Sequence, residues 1–225
     1  MGLYEDRVLP RLVDCACGTA RLRPWRERVV DGLSGRVLEI GFGSGHNLAL
    51  LPSEVTSLAA VEPSRLAWER SAQRRDASEI HVELVGLDGQ QIALADASCD
   101  AALCTFTLCT VPDPLAALAE IARVVRPGGR LHLLEHGLAP DENVARWQRL
   151  LNPIERRLAG GCHLTRDPLA LTTEAGCAPV WTEQAYGPGP APWMWLTSGV
   201  FLIPHWQNGC HTGSCEPVIP ADLIS

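Results

Sequence analysis

The 225 residues are 46% hydrophobic and 20% charged, proportions that allow one globular domain with a sizeable core. Net charge is −7 with a pI near 5.5, and no Lys/Arg cluster interrupts the acidic balance; nucleic acid and an anionic membrane surface are therefore not expected as main partners. The opening MGLYEDRVLPRL mixes charges too early for a signal peptide, and no run approaches the roughly 20 uninterrupted apolar residues of a spanning helix, so a soluble cytoplasmic protein is expected.

Residues 1–33 read as one or two helices interrupted around CACGT. GRVLEI is a short β-rich run, and HNLALL after it opens a helix that ends before Pro52. TSLAAVEP is a second strand, followed by helical SRLAWERSAQRR; EIHVELV alternates apolar and polar residues as a third strand. CDAALCTFTL is almost continuously apolar, as suits a central parallel strand covered on both faces. In DPLAALAEIARVV, Leu115, Leu118, Ile121, Ala122 and Val125 share one helical stripe, which stops at the RPGG turn before a fifth strand, RLHLLE. Residues 138–176 read as helical with breaks at Pro153 and AGGC. APVWTEQAY and WMWLTSGVFLI then read as a terminal antiparallel pair, and residues 207–225 as an irregular tail. The alternation predicts an α/β, doubly wound sheet of about seven strands, with amino-terminal helices and a helical insertion after the fifth strand. No repeat or second domain is evident: residues 1–33 precede a core at 35–137, an insertion at 138–176 and terminal strands at 177–206.

VLEIGFGSGHN raises the functional question. A parallel strand that ends in a glycine-rich turn lets the backbone approach a nucleotide, because no Cβ stands at Gly41, Gly43 or Gly45. The spacing is G-x-G-x-G, and His46 stands where a dinucleotide loop has its third glycine. Glu62 ends the second strand 17 positions beyond Gly45, where an acid accepts hydrogen bonds from ribose hydroxyls. Asp88 follows the third strand, within reach of an adenine edge. Each acid alone reads as a solvated loop charge; together they mark the carboxyl ends of successive strands, where open α/β sheets place ligands.

VLEIGFGSG, VEPS, LDGQQIALADASCDAALCTFTLCTV and IARVVRPGGRLHLLEH resemble the successive motifs of class I S-adenosylmethionine (SAM) methyltransferases over roughly Gly35 to Gly137. The resemblance implies a Rossmann-like fold and SAM as cofactor. It places Glu39, Gly41, Gly43 and Gly45 against the methionine part, Glu62 and Pro63 at the ribose, Asp88, Gly89 and Gln90 around the adenine, and Thr105 near the ligand. Phe42 departs from the small or polar residues and cysteine common at its position. CTFTLCTV, EHG, RWQRLLNPIERRLAGGCHLTRD and the tryptophan-rich end, from about Tyr4 to Trp206, look like the thiol S-methyltransferases of the methyltransferase-like seven group and their bacterial relatives. Mammalian members carry a hydrophobic amino-terminal anchor that this sequence lacks, so membrane attachment is not carried over. DCACGT and the cysteine-bearing tail are further departures.

A thiol acceptor needs little base catalysis, whereas oxygen or ammonium needs a positioned base. His136 is the first candidate to contact the acceptor or draw its proton, its alternative role being to cap the strand end; Glu135 is a candidate to organise that loop. His163 and Arg166 are candidates for an acceptor-facing wall, with Arg166 stabilising a thiolate; alternatively Thr165 or Asp167 caps the next helix and Arg166 pairs locally. Tryptophans 147, 181, 193, 195 and 206 either line an apolar acceptor pocket or pack the core. Nine cysteines, several inside apolar runs, read as mostly reduced thiols. No metal is expected, because Cys15-x-Cys17 and Cys210-His211-x3-Cys215 lack common zinc spacing, although together they offer a soft-metal or arsenic site. The sequence thus points to a SAM-dependent methyltransferase acting on a small thiol or sulfide. The alternatives are an O-, N- or C-methyltransferase acting on a quinone or phospholipid precursor, and a non-catalytic SAM- or metalloid-binding sensor.

Overall fold

The computed structural model describes residues 4–204. Five parallel strands, β1 (Gly35–Ile40), β2 (Val55–Val61), β3 (His81–Gly86), β4 (Cys99–Thr105) and β5 (Val125–His136), join β6 (Ala178–Tyr186) and β7 (Trp195–Leu202) in one seven-stranded sheet. The order is β3-β2-β1-β4-β5-β7-β6, with β7 antiparallel to both neighbours. The expected terminal antiparallel pair is therefore present, with the last strand inserted beside β5 and β6 left at the edge.

Before the sheet come α1 (Leu9–Cys17) and α2 (Arg23–Val30); α3 (Arg65–Arg70) and α4 (Ala72–Asp76) link β2 to β3. α5 (Pro114–Val124), α6 (Glu142–Leu158) and α7 (Pro168–Glu174) follow β4 and β5. Asp113, Asp141 and Asp167 each start one of these last three helices by accepting two backbone N–H groups. Asp167 thus takes the capping role allowed for it in the GCHLTRD segment.

Strand parity divides the core. Leu38, Ile40, Ala102, Cys104, Leu131 and Leu133 pack with α5 and α7, while Val37, Leu58, Leu103 and Leu134 pack with Val29 and Val30 of α2. Glu39 and Thr105 fall on the parity of Val37 and Leu103. They are thereby directed to the α2 side, where a polar network forms.

Three local expectations are corrected. After the glycine loop the chain makes a single 3-10 turn, Leu48–Leu50, in place of a helix. Asn47 turns its amide into the core, and Pro52 leaves too few residues for helical propagation. α6 runs through Pro153, which sits inside it without ending it. RPGG lies within β5 as a register break between the pairs Cys99–Val125 and Ala101–Arg130. Among the described residues no helix is long and apolar enough to cross a membrane.

Candidate active site

A cavity of about 580 Å³ opens beyond the carboxyl ends of β1, β2 and β4, with α1 on its other side. The glycine loop forms its floor and is held from several directions. Gly41 and Phe42 donate to the Val61 carbonyl at 2.9 and 3.2 Å. Gly43 N–H donates to Glu62 Oε2 at 2.7 Å, and Ser64 N–H donates to Glu62 Oε1 at 2.6 Å. Gly41 has φ +74°, and a Cβ there would collide with the Thr107 hydroxyl. Gly43, at φ +57°, would project a Cβ into open space, its nearest neighbour being the Gly41 carbonyl at 3.9 Å. The first glycine thus lets the loop close on the segment after β4, and the second keeps its upper surface bare for a ligand.

Glu39 lies directly behind the loop and is 1% exposed. Its Oε1 accepts from Asn47 Nδ2 at 2.7 Å, while Oε2 is buried without a partner. Burial pushes its carboxyl up to about 7, against the Asn47 hydrogen bond and the nearby Arg26 charge. Arg26, on α2, crosses the network: its guanidinium donates to Asn47 Oδ1 at 2.7 Å, Thr105 Oγ1 at 3.1 Å and the Cys17 carbonyl at 2.9 Å. Asn47 also donates to Thr105 Oγ1 at 3.0 Å. Burial likewise raises Glu62, opposed by the Ser64 and Gly43 amides.

α1 is pinned over the loop through Asp14. Its Oδ1 accepts from the Ser44 hydroxyl at 2.5 Å and lies 2.8 Å from His46 Nε2; Arg70 reaches its other oxygen. Partial burial works against ionisation, yet the Ser44 and Arg70 hydrogen bonds and the His46 and Arg70 charges hold Asp14 below the usual carboxylate range.

Of the expected cofactor residues, Gly41, Gly43, Glu62, Pro63, Asp88, Gly89, Gln90 and Thr105 line the cavity. Glu39 and Gly45 stand behind this surface. Asp88 Oδ1 accepts from Gln90 N–H at 2.8 Å, which lowers its carboxyl and shapes the turn beside Gly89. The acceptor-side candidates lie elsewhere. His136 is buried off the cavity with Nε2 3.2 Å from Cys162 Sγ. Arg166 donates to the carbonyls of Leu108, Val111 and Pro112, tying down the loop after β4. His163 lines an outer groove with Thr110, Arg156 and Gly160. Glu135 organises the same loop, accepting from the amides of Thr107 and Leu108. The Cys162 thiol is lowered, first by its hydrogen bond with Cys109, against burial, and then by His136.

Tryptophans 147, 181, 193 and 195 do not line this cavity. Trp147 is 58% exposed on α6, and Trp181 packs against the α2-side core. Trp206 and the Cys210, His211 and Cys215 cluster lie outside the described residues. Conversely, Arg26, Asn47, Asp14 and His46 line the cavity without having been singled out as its residues. For Arg26 a signal exists: it shares a helical stripe with Val29, Val30 and Leu33, so a charge occupies an apolar face.

Residues 38–133 match the family model described as a methyltransferase domain. A SAM-dependent methyltransferase of Aquifex aeolicus shares the fold, with TM-score 0.58 and 17% identity over 86% of this chain and 98% of that one. The chain belongs to the class I SAM-dependent methyltransferases, and SAM is its cofactor. Within that family it is similar to thiol S-methyltransferase TMT1B of Rattus norvegicus, at 33% identity over 181 residues, 77% of this chain and 72% of the relative. The Homo sapiens protein of the same name is also 33% identical, over 182 residues.

Proposed function

We propose that this enzyme transfers the SAM methyl group to the sulfur of a small, fairly apolar thiol or of sulfide. The observation that carries the reading is the extent of the likeness to the proteins named thiol S-methyltransferase. Its 181 residues exceed the 38–133 cofactor segment, so it reaches into sequence outside that core. The cavity agrees with it: Leu9, Pro10 and Val13 of α1, with Val111 and Pro112, give its lining an apolar part.

SAM supplies a sulfonium-bound methyl group open to in-line displacement. We assign Glu62 to the ribose hydroxyls, for which each oxygen keeps a lone pair beyond its backbone bond. The bare surface of Gly43 takes the methionine portion, and the unpartnered Glu39 Oε2 suits that portion's positive charge. Asp88, Gly89 and Gln90 flank the adenine. α1 serves as a lid that excludes water, and the 138–176 segment supports the acceptor side. A thiol of pKa about 8.5 is a few per cent thiolate at neutral pH, and the Arg26 cation at the cavity increases that fraction. Buried core thiols such as Cys104 and Cys177 fit a reducing, cytoplasmic setting. His46 beside Asp14 favours one second reading, a positioned base for an oxygen or nitrogen acceptor.

The test is methyl transfer to sulfide, an alkyl thiol, an aryl thiol, a catechol and an amine, read by mass spectrometry with Glu62→Ala as control. Methylated thiols alone support the proposal. Product only on oxygen or nitrogen overturns it and directs attention to His46.

SAM affinity should also depend on pH. Glu39 is held near 7 without ligand, and a bound cation favours its ionised form. Affinity therefore rises as pH increases through about 7, by about tenfold between pH 6 and 8 if binding restores an ordinary carboxyl pKa. Calorimetry across that range should show proton release below pH 7, and Glu39→Gln should flatten both trends.

A further inference from the structure

We propose that Cys109, His136 and Cys162 form a binding site for Zn²⁺, separate from the SAM cavity. The three are remote in sequence, with Cys109 in the loop after β4, His136 at the end of β5 and Cys162 after α6. Their ligand atoms nevertheless lie within 4.8 Å of one another, and all three residues are buried. A tetrahedral zinc with bonds of about 2.3 Å to sulfur and about 2.0 Å to nitrogen needs ligand separations of about 3.5 to 3.8 Å. The observed 3.2 Å from His136 Nε2 to Cys162 Sγ needs only a few tenths of an ångström of opening.

The donor set selects the ion. Two sulfurs and one imidazole nitrogen favour zinc or cuprous copper over magnesium or calcium. Two thiolates and a neutral imidazole cancel a divalent charge, whereas a monovalent ion would leave a net buried negative charge. Zn²⁺ is therefore the better match. On binding, the proton of the Cys109 thiol and the one shared by Cys162 and His136 leave to solvent. Three protein ligands leave a fourth position of the kind zinc fills with water or an exogenous ligand.

The ion would join segments that shape the acceptor side. Thr110 and Val111, next to Cys109, line the SAM cavity, as does Gly160 near Cys162. Those segments are already linked without metal by His163 N–H donating to the Cys109 carbonyl at 2.9 Å and by Arg166. Serine variants should consequently fold.

The experiment measures zinc in fully reduced wild-type protein by elemental mass spectrometry, and affinity by competition with a chromophoric chelator. About one Zn²⁺ per chain is expected, with affinity at least a hundredfold weaker in Cys109→Ser and Cys162→Ser. Cobalt substitution should give a thiolate-to-metal charge-transfer band in wild type and lose it in both variants. The triple variant Cys15→Ser, Cys210→Ser, Cys215→Ser should retain zinc and the band. Absence of zinc uptake by reduced wild type at micromolar zinc overturns the site. So does uptake undiminished in both serine variants, or lost in the triple variant. Circular dichroism checks that each variant is folded; where a serine variant is not, His136→Gln takes its place and should likewise weaken zinc binding and alter the cobalt spectrum, and an unchanged affinity and spectrum there overturn the site.

Discussion

Glu62→Ala is expected to weaken SAM binding by about a hundredfold, the loss of two charge-assisted hydrogen bonds of about 1.5 kcal/mol each. The side chain has two tasks. Its oxygens accept from Gly43 and Ser64, fixing the glycine loop and the turn after β2, and the proposed ribose contact uses the same carboxylate. Alanine frees both amides and removes the ribose partner. Glu62→Gln keeps the shape and one acceptor oxygen, so it should lie between alanine and wild type. Titration calorimetry, with thermal unfolding to confirm folding, separates these outcomes. Unchanged SAM affinity in Glu62→Ala would remove the ribose assignment without touching the family assignment.

Arg26→Met is expected to destabilise the protein by about 3–5 kcal/mol, the range for breaking a buried charge network by removing one member. Arg26 is 5% exposed and its guanidinium joins Asn47, Thr105 and the Cys17 carbonyl, so methionine leaves three acceptors, two of them in buried bonds, without this donor. Its charge also offsets part of the burial penalty on Glu39. In the variant the Glu39 carboxyl moves further up. An acid whose folded pKa is raised loses stability as pH rises from its unfolded value towards its folded value. The deficit should therefore be larger at pH 8 than at pH 6. Urea unfolding at the two values measures it, and an equal deficit at both would show that Arg26 and Glu39 are not electrostatically coupled. SAM binding should weaken as well, because Arg26 positions Asn47 and Thr105 at the cavity.

The glycine turn was legible in the sequence because it depends on local backbone rules. An apolar run followed by G-x-G-x-G requires a strand that turns without Cβ atoms, and Gly41 pressed against Thr107 shows the reason in contact. Glu62 carries a weaker signal: an acid at a strand end reads alone as a solvated loop charge, and it points to the ligand edge only together with the glycine turn and Asp88 at the ends of the neighbouring strands. The alternation of strands and helices likewise predicted the sheet, since period-2 and period-3.6 patterns are written residue by residue. The acceptor side was less legible. His136, His163 and Arg166 carried the right chemistry at suggestive positions, but only packing decided that they face Cys162, an outer groove and backbone carbonyls.

Tertiary structure alone decided three matters. It turned Asn47 inward to Glu39 and Thr105, which replaced an expected helix by a 3-10 turn. It carried Arg26 across the sheet face to the carboxyl end of β4, a contact spanning 79 residues of chain. It also gathered Cys109 and Cys162 from two loops and His136 from the end of β5, whereas the closely spaced cysteines of the sequence are Cys15 with Cys17 and Cys210 with Cys215. The physical reason is common to all three. Hydrogen-bond partners and ligand sets depend on through-space distance, which chain spacing encodes within one turn or strand but not across a crossover.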